Sequence, residues 1–192
     1  MELKEDSDKQ VSHLRESILK QAIQGNLVPQ DPTDEPASVL LERIKAEKEQ
    51  LIKEKKIKKE NPMPKIMEDE IPHKLPKGWE WVRFQDIGEL ERGKSKHRPR
   101  NDEILFNDGK YPLVQTGDVA RSNGVIKTYS NLYNEVGLKQ SRLWSKGTLC
   151  ITIAANIADT GVLDFDACFP DSVVGFFYHI NPSKAWVTSI IL

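Results

Sequence analysis

Four prolines between Pro62 and Pro76 place the strongest constraint on how this chain can fold. Proline removes a backbone donor and interrupts both helix interiors and central strands, so the segment predicts a stiff, extended linker. The apolar residues before and after it follow different spacings. We therefore expect three parts: a helical region at residues 1–60, a proline-rich linker at 61–75 and a second domain at 76–192.

The first region begins with the pattern of an amphipathic helix. Ser7-x-x-Gln10 has the form of a capping box, which predicts a helix start at Ser7. Gly25-Asn26 predicts the end of the helix, because both residues tolerate the left-handed conformation. Between these signals, apolar residues recur at three- and four-residue intervals, namely Val11, Leu14, Ile18, Leu19, Ala22 and Ile23.

A second helix is predicted from Pro36 to about residue 58. The pairs Glu49–Lys53 and Glu54–Lys58 have the favourable i,i+4 order. The apolar seam of this helix is narrow and its back is charged, so it needs a partner helix, as in a coiled coil. The expected partner-helix interface consists of Leu14, Ile18, Leu40, Leu41, Ile44 and Leu51.

The second domain has the alternation of β-strands. One strand is predicted around Leu149–Ile153 and another at Ser172–Ile180, with a turn at Asp159-Thr160-Gly161. A helical stripe at Trp186, Val187, Ile190 and Ile191 stops at Leu192, which suggests that the domain is incomplete at its C-terminus. The fold class expected is α+β: a long-helix, coiled-coil-like N-terminal arm followed by a mixed α/β domain with an antiparallel or mixed sheet.

Composition narrows the function classes. The sequence has 38% hydrophobic and 30% charged residues and a formal net charge of −1, so bulk charge does not indicate nucleic acid. It shows neither a secretory signal nor the ~18 consecutive apolar residues of a membrane span, so we expect a soluble, cytoplasmic protein. Cys150 and Cys168 are expected to be buried, reduced thiols.

Local charge is more informative, because cations recur at every second residue in Arg92, Lys94, Lys96, Arg98 and Arg100. In an extended segment this spacing puts all five on one side. From residue 92 to 146 there are eleven Lys and Arg against five Asp and Glu, and residues 147–180 contain no Lys or Arg. The pattern fits either a solvated surface loop or a surface that binds a phosphate backbone.

Signals for catalysis are weak. Gly88 to Ser95 matches the spacing of a phosphate-binding loop, but Pro99 follows closely and a helix start is missing, which disfavours nucleotide hydrolysis. The histidines lack the spacing of a metal site, so we expect no metal site. Since no catalytic motif is present with its required context, we expect no catalytic residues. Asp164 and Asp166 are interpreted as turn residues rather than as an acid/base pair.

A family resemblance extends over nearly the whole chain. The run from Leu14 to Pro32, LRESILKQAIQGNLVPQDP, continuing through Glu35 to Leu41, closely resembles the helical region of type I restriction–modification specificity subunits. The run LPKGWEWV from Leu75 resembles the start of their target recognition domain. Similar landmarks follow in QTGDV at 115–119, KGTL at 146–149 and IAANI at 153–157.

The resemblance implies a non-catalytic subunit that reads double-stranded DNA and directs methyltransferase and restriction subunits to a bipartite target. S-adenosylmethionine, ATP and magnesium would then belong to those partners, and this chain would hold no cofactor. Beside the five cations, the candidate DNA-contacting residues are polar loop residues near the landmarks, namely Gln115, Thr116, Asp118, Lys139, Gln140, Ser141 and Arg142.

The family's full chain has two recognition domains, whereas this sequence has one. Self-association through the helical arm is therefore a further expected interaction. The alternative function is an assembly-only or truncated half-subunit, which binds the methyltransferase without reading DNA on its own.

Overall fold

A computed structural model of the 192-residue chain describes residues 2–57, 59 and 61–178. The described residues form two compact units, residues 2–87 and 88–178. The sequence patterns instead place the start of the recognition domain at residue 76, and that functional assignment stays a prediction. The predicted C-terminal helical stripe lies outside the described residues.

In the first unit, α1 spans Glu2–Ile23 and so begins before the predicted start at Ser7. Its end agrees with the prediction. Gly25 has a φ of +69°, and the N–H groups of Gly25 and Asn26 donate to the carbonyls of Ala22 at 3.0 Å and Gln21 at 2.9 Å. These two hydrogen bonds satisfy helix-terminal carbonyls in the Schellman pattern.

The second helix, α2, spans Ala37–Lys53 with Pro36 as its N-cap. It ends five residues earlier than predicted, because Lys55 takes a φ of +58° and closes the helix in the same pattern. Glu54 pairs with Lys56 at 2.7 Å. The helix packs against α3, a single turn at Phe84–Ile87, where the Lys48 ammonium donates to the Gln85 carbonyl at 2.5 Å.

The proline-rich segment contains one 3-10 turn, Glu68–Glu70, and otherwise has no regular structure. The residues directly after this segment pack onto the turn between α1 and α2. Trp79 Nε1 donates to Gln30 Oε1 at 2.9 Å, and the Ala37 N–H donates to the Gly78 carbonyl at 2.8 Å. Two runs that carry the family resemblance, around Gln30 and Trp79, are therefore in contact.

The second unit contains two mixed sheets, two short α-helices and a 3-10 turn at Glu103–Leu105, as the predicted mixed α/β domain requires. The five-stranded sheet has the order β1 (Gly88–Arg92), β9 (Val173–Tyr178), β6 (Leu149–Thr152), β7 (Thr160–Leu163), β3 (Gly124–Ile126). The four-stranded sheet has the order β4 (Asn131–Tyr133), β2 (Tyr111–Leu113), β8 (Ala167–Cys168), β5 (Leu143–Trp144). Helix α4 spans Thr116–Ala120 and α5 spans Glu135–Gln140.

The main core of this unit draws residues from both sheets. Trp144 of β5 stacks on Phe169, with ring centroids 4.6 Å apart, and Cys150 and Val173 of the other sheet belong to the same buried cluster. Burying one large apolar side chain such as Phe169 stabilises the fold by roughly 1.5–3 kcal/mol. The cysteines are free and buried, as expected.

Both faces of the central strand β6 are covered, so Cys150 and Thr152 are as buried as Leu149. The predicted turn at Asp159-Thr160-Gly161 is wrong: Thr160 and Gly161 start β7, and the reversal lies at residues 153–158. The predicted strand at 172–180 is confirmed as β9 within the described residues.

Candidate nucleic-acid interface

The strand register brings several loops to one end of the five-stranded sheet. Arg92 at the end of β1 lies opposite Val174, and Thr152 at the end of β6 lies opposite Val173, the first residue of β9. Strands β7 and β3 also start at this end, with Gly161 opposite Gly124. We call it the basic end: the end where β1 and β6 stop and where β9, β7 and β3 begin.

The cationic run of residues 92–100 leaves the sheet at the basic end. Gly93 and Ser95 are buried, whereas Arg92, Lys94, Lys96, Arg98 and Arg100 are all exposed. The Gly93 N–H donates to the Val173 carbonyl at 2.9 Å, and a Cβ at this position would overlap the Pro170 carbonyl oxygen. Burial alternates with exposure from Arg92 to Lys96, whereas residues 98–100 are all exposed, so the one-sided presentation of all five cations stays a prediction.

Three of the five cations have partners within the second unit. Arg92 donates to the Asp171 carbonyl. Arg100 Nη2 donates to both oxygens of the Asp171 carboxylate, at 2.7 and 2.9 Å. Arg98 donates to the carbonyls of Ser95 and His97, each at 2.7 Å. Such exposed pairs contribute about 1 kcal/mol or less, so they exchange readily for other anions.

Lys94 and Lys96 differ from the arginines, because no ion pair involves either of them among the described residues. The backbone of Lys96 is nevertheless fixed. Gln140 Oε1 accepts the N–H of Lys96 at 2.6 Å and that of His97 at 3.1 Å. Gln140 thereby connects α5 to the cationic run, and it brings together two groups of candidate residues that are 44 positions apart in the sequence.

The neighbours of Gln140 have different surroundings. Lys139 is exposed, and Ser141 is half-buried. The guanidinium of Arg142 lies 4.2 Å from the ring centroid of Trp144 and pairs with Glu91. Partial burial lowers the pKa of Arg142. In this position Arg142 packs against the core rather than facing solvent fully.

The candidate residues at the start of α4 also differ in how exposed they are. Gln115 is exposed and Thr116 is half-buried. Asp118 is only 6% exposed, and its carboxylate accepts from the Gln115 N–H at 2.8 Å, Ser130 Oγ at 2.6 Å and the Arg121 guanidinium at 3.2 Å. These three hydrogen bonds connect Asp118 to Gln115, Arg121 and Ser130.

The structure adds groups at the basic end that the sequence patterns did not single out. Exposed Arg121 precedes β3, and the exposed loop at residues 153–158 joins β6 to β7. Near the cationic run, a hydrogen bond from His97 at 2.8 Å, together with one from the Ile104 N–H, lowers the pKa of Asp102. Arg121 is one of the eleven Lys and Arg residues counted between residues 92 and 146, but that count did not indicate where in the fold it would lie.

The phosphate-loop spacing at Gly88 to Ser95 does not form a phosphate loop. Gly88–Arg92 is strand β1, paired along its length with β9, and the described residues that follow Ser95 directly do not begin a helix. Asp164 lies in a bend after β7 and binds the Lys146 ammonium at 2.6 Å, and Asp166, between this bend and β8, accepts the Lys146 N–H at 2.8 Å. Both residues lie in the connection between two strands, as their interpretation as turn residues expects.

Residues of the predicted partner-helix interface have unequal exposure. Leu14 is 61% exposed and Ile18 is also exposed, whereas Leu40, Leu41 and Leu51 are half-buried. Ile44 is only 5% exposed, on the helix that packs against α3. Ile44 is therefore part of the internal packing of the first unit. Over the ranges that the structure describes, no helix is long and apolar enough to cross a membrane.

Comparison with known proteins gives high identity over part of the chain. No family model matches it. Over 106 residues, 55% of the chain, it is 56% identical to the type I restriction enzyme EcoAI specificity subunit and 55% identical to the EcoEI specificity subunit, both of Escherichia coli. The matches cover 18% and 17% of those two proteins.

Among solved structures, the HsdS subunit from Thermoanaerobacter tengcongensis aligns with 99% of this chain and 38% of its own, at 17% identity and a TM-score of 0.47. On the sequence identities, this chain is related to the specificity subunits of type I restriction enzymes over 106 of its 192 residues.

Proposed function

We propose that this chain recognises double-stranded DNA as the specificity component of a type I restriction–modification system. The second unit binds the duplex through the basic end, and the first unit binds partner subunits. The observation that carries the proposal is the exposure of all five cations of residues 92–100 at one end of a sheet. Phosphate contacts of this kind position a protein on the duplex, and contacts to base edges then select the sequence.

Lys94 and Lys96 are the primary phosphate contacts in this proposal. Their ammonium groups are exposed, and Gln140 holds the backbone of Lys96. Arg92 and Arg100 are secondary contacts, since each must first leave Asp171. Exposed Gln115 and Lys139 remain candidates for contacts beside the phosphates.

The partner functions follow from the family. The exposed apolar edge of α1, at Leu14 and Ile18, binds a helix of a methyltransferase subunit or of a second copy of this chain, as in a coiled coil. Methylation and cleavage, with S-adenosylmethionine, ATP and magnesium, belong to the methyltransferase and restriction subunits. The chain itself performs no catalysis and acts in the cytoplasm.

The proposal is tested by the salt dependence of DNA binding. The affinity of the full chain for a mixed-sequence duplex is measured by fluorescence anisotropy over a range of salt concentrations, for wild type and the double variant Lys94→Gln/Lys96→Gln. Losing two phosphate contacts should reduce the slope of log affinity against log salt by roughly 1.8.

The matched control is Lys127→Gln, because Lys127 is also exposed but follows β3 at the opposite end of the sheet. It should leave the slope unchanged. Equal slopes for wild type and the double variant would contradict the proposed DNA surface.

The second candidate function is assembly without DNA reading, and the exposed apolar edge of α1 favours it. Co-purification with the methyltransferase subunit, lost in Leu14→Asp, combined with no salt-sensitive DNA binding, would support this alternative.

A further inference from the structure

The loop at residues 153–158 forms the tip of the β6–β7 hairpin at the basic end. All six residues are exposed, and five of them are apolar: Ile153, Ala154, Ala155, Ile157 and Ala158. Ile157 is 75% exposed, compared with 64% for Val28 and 61% for Leu14. An isoleucine this exposed at the end of a hairpin buries little apolar surface in the second unit.

The loop has a defined conformation. The Thr152 side chain, 1% exposed, donates to the Asn156 carbonyl and accepts the Asp159 N–H at 3.0 Å. The backbone of Thr152 bonds to Asp159 and Ala158, each at 2.9 Å. Ala155 and Ala158 have φ values of +62° and +69°, which cost roughly 1 kcal/mol or more each in a residue with a Cβ. The hairpin therefore holds Ile157 outward at an energetic cost.

The loop lies beside the cationic run. The Ile153 N–H donates to the Ser172 carbonyl at 3.0 Å, and the preceding residue, Asp171, binds both Arg92 and Arg100. Strand β9 is the neighbour of both β1 and β6. A duplex that is bound by the cations after β1 thus has the β6–β7 hairpin next to it.

The chemistry of the tip selects one kind of contact. Strands β6 and β7 are flanked by β9 and β3, so only the loop between β6 and β7 extends past the sheet. In the major groove of B-form DNA, the 5-methyl group of thymine is an apolar feature of the base edges. The side chain of Ile157 has no hydrogen-bonding group, so it distinguishes bases only by such an apolar contact. Water is released from both surfaces when the contact forms.

We propose that the loop at residues 153–158 enters the major groove and that Ile157 contacts a thymine methyl group, which makes it a base-contacting residue. The inference rests on the proposed DNA-binding function. Thr152 is a positioning residue in this arrangement, because it shapes the loop without facing the groove.

The experiment first selects duplexes from a random-sequence library with the wild-type chain. Affinities for a selected duplex are then measured with each thymine replaced in turn by deoxyuridine, which lacks only the methyl group. At one position the replacement should weaken wild-type binding about fourfold, the factor expected for one buried methyl group. Ile157→Ala should bind the thymine duplex about tenfold more weakly and respond less than twofold to the replacement.

Two control variants separate this effect from misfolding. Ile157→Val keeps a branched apolar tip and should retain the response to deoxyuridine. Val136→Ala changes an aliphatic residue of α5 that is 44% exposed and should bind like wild type. The slope with salt should be the same in all these variants, since no charge is changed.

The outcomes separate a failure of the inference about Ile157 from a failure of the proposed DNA-binding function. A wild-type chain that enriches no duplex would overturn the proposed function and the inference with it. An enriched duplex that Ile157→Ala binds as tightly as wild type does, or whose deoxyuridine forms weaken both proteins equally, would overturn the inference alone. Loss of methyltransferase binding without loss of DNA affinity in Ile157→Ala would assign the loop to a protein partner and would also overturn it.

Discussion

The side-chain oxygen of Gln140 accepts the backbone N–H of Lys96 at 2.6 Å, across 44 positions of sequence. The same oxygen accepts the N–H of His97 at 3.1 Å. One amide at the end of α5 therefore holds the middle of the cationic run, whose own residues 93–100 have no regular secondary structure.

Gln140→Leu should loosen the cationic run, because two backbone donors lose their acceptor. We expect a loss of about 1 kcal/mol in the free energy of unfolding, and faster hydrogen exchange at the amides of Lys96 and His97. Exchange is measured by NMR. Gln140→Glu keeps an acceptor oxygen and is the control. Unchanged exchange at both amides in Gln140→Leu would show that Gln140 does not hold this segment.

Asp118 is expected to act on stability rather than on DNA contact. In Asp118→Ala, the Gln115 N–H, Ser130 hydroxyl and Arg121 guanidinium lose their shared acceptor. The cost should be about 2–3 kcal/mol in the free energy of unfolding, measured by urea denaturation. Asp118→Asn should cost less, because it keeps one oxygen. If Asp118→Ala instead folds normally and changes base preference, Asp118 faces the duplex.

Gly25 and Gly78 form a matched pair for testing how the first unit is packed. Both have positive φ, +69° and +91°, so alanine is strained at either position by about 1 kcal/mol. A Cβ at Gly25 would also overlap Pro76, whereas a Cβ at Gly78 would meet nothing within 4 Å. Gly25→Ala should therefore reduce the free energy of unfolding by at least about 1 kcal/mol more than Gly78→Ala does. Equal losses would argue against the contact with Pro76.

The two thiols are expected to be unreactive in the folded protein. Burial raises the pKa of Cys150 to about 12 and that of Cys168 to about 11. Near pH 8 both are protonated, and a thiol-specific disulfide reagent should react only after unfolding. Rapid labelling of the native chain would contradict the burial of these thiols.

The same shifts predict a loss of stability at alkaline pH. Above pH 9 the thiols ionise in the unfolded chain but stay protonated in the folded one, so the unfolded state binds fewer protons. The free energy of unfolding should fall between about pH 9 and pH 11. The Cys150→Ala/Cys168→Ala variant, compared over the same range by urea denaturation, should lose less.

Local sequence patterns determined the features that depend on neighbouring residues. The end of α1 at Gly25-Asn26, the N-cap of α2 at Pro36 and strand β9 were predictable from residues within a few positions of each feature. The exposure of the five cations at 92–100 likewise agrees with their charge. The resemblance to specificity subunits also followed from contiguous runs of sequence.

Tertiary structure decided everything that depends on which segments pair. The burial of Ile44 and the hydrogen bond from Ser130 to Asp118 come from contacts that no local pattern contains. The basic end exists only because β9 pairs with both β1 and β6, bringing residue 92 near residue 153. Burial and long-range hydrogen bonds are set by residues distant in sequence, so local spacing indicated some of the elements of this protein, whereas strand pairing determined its candidate site.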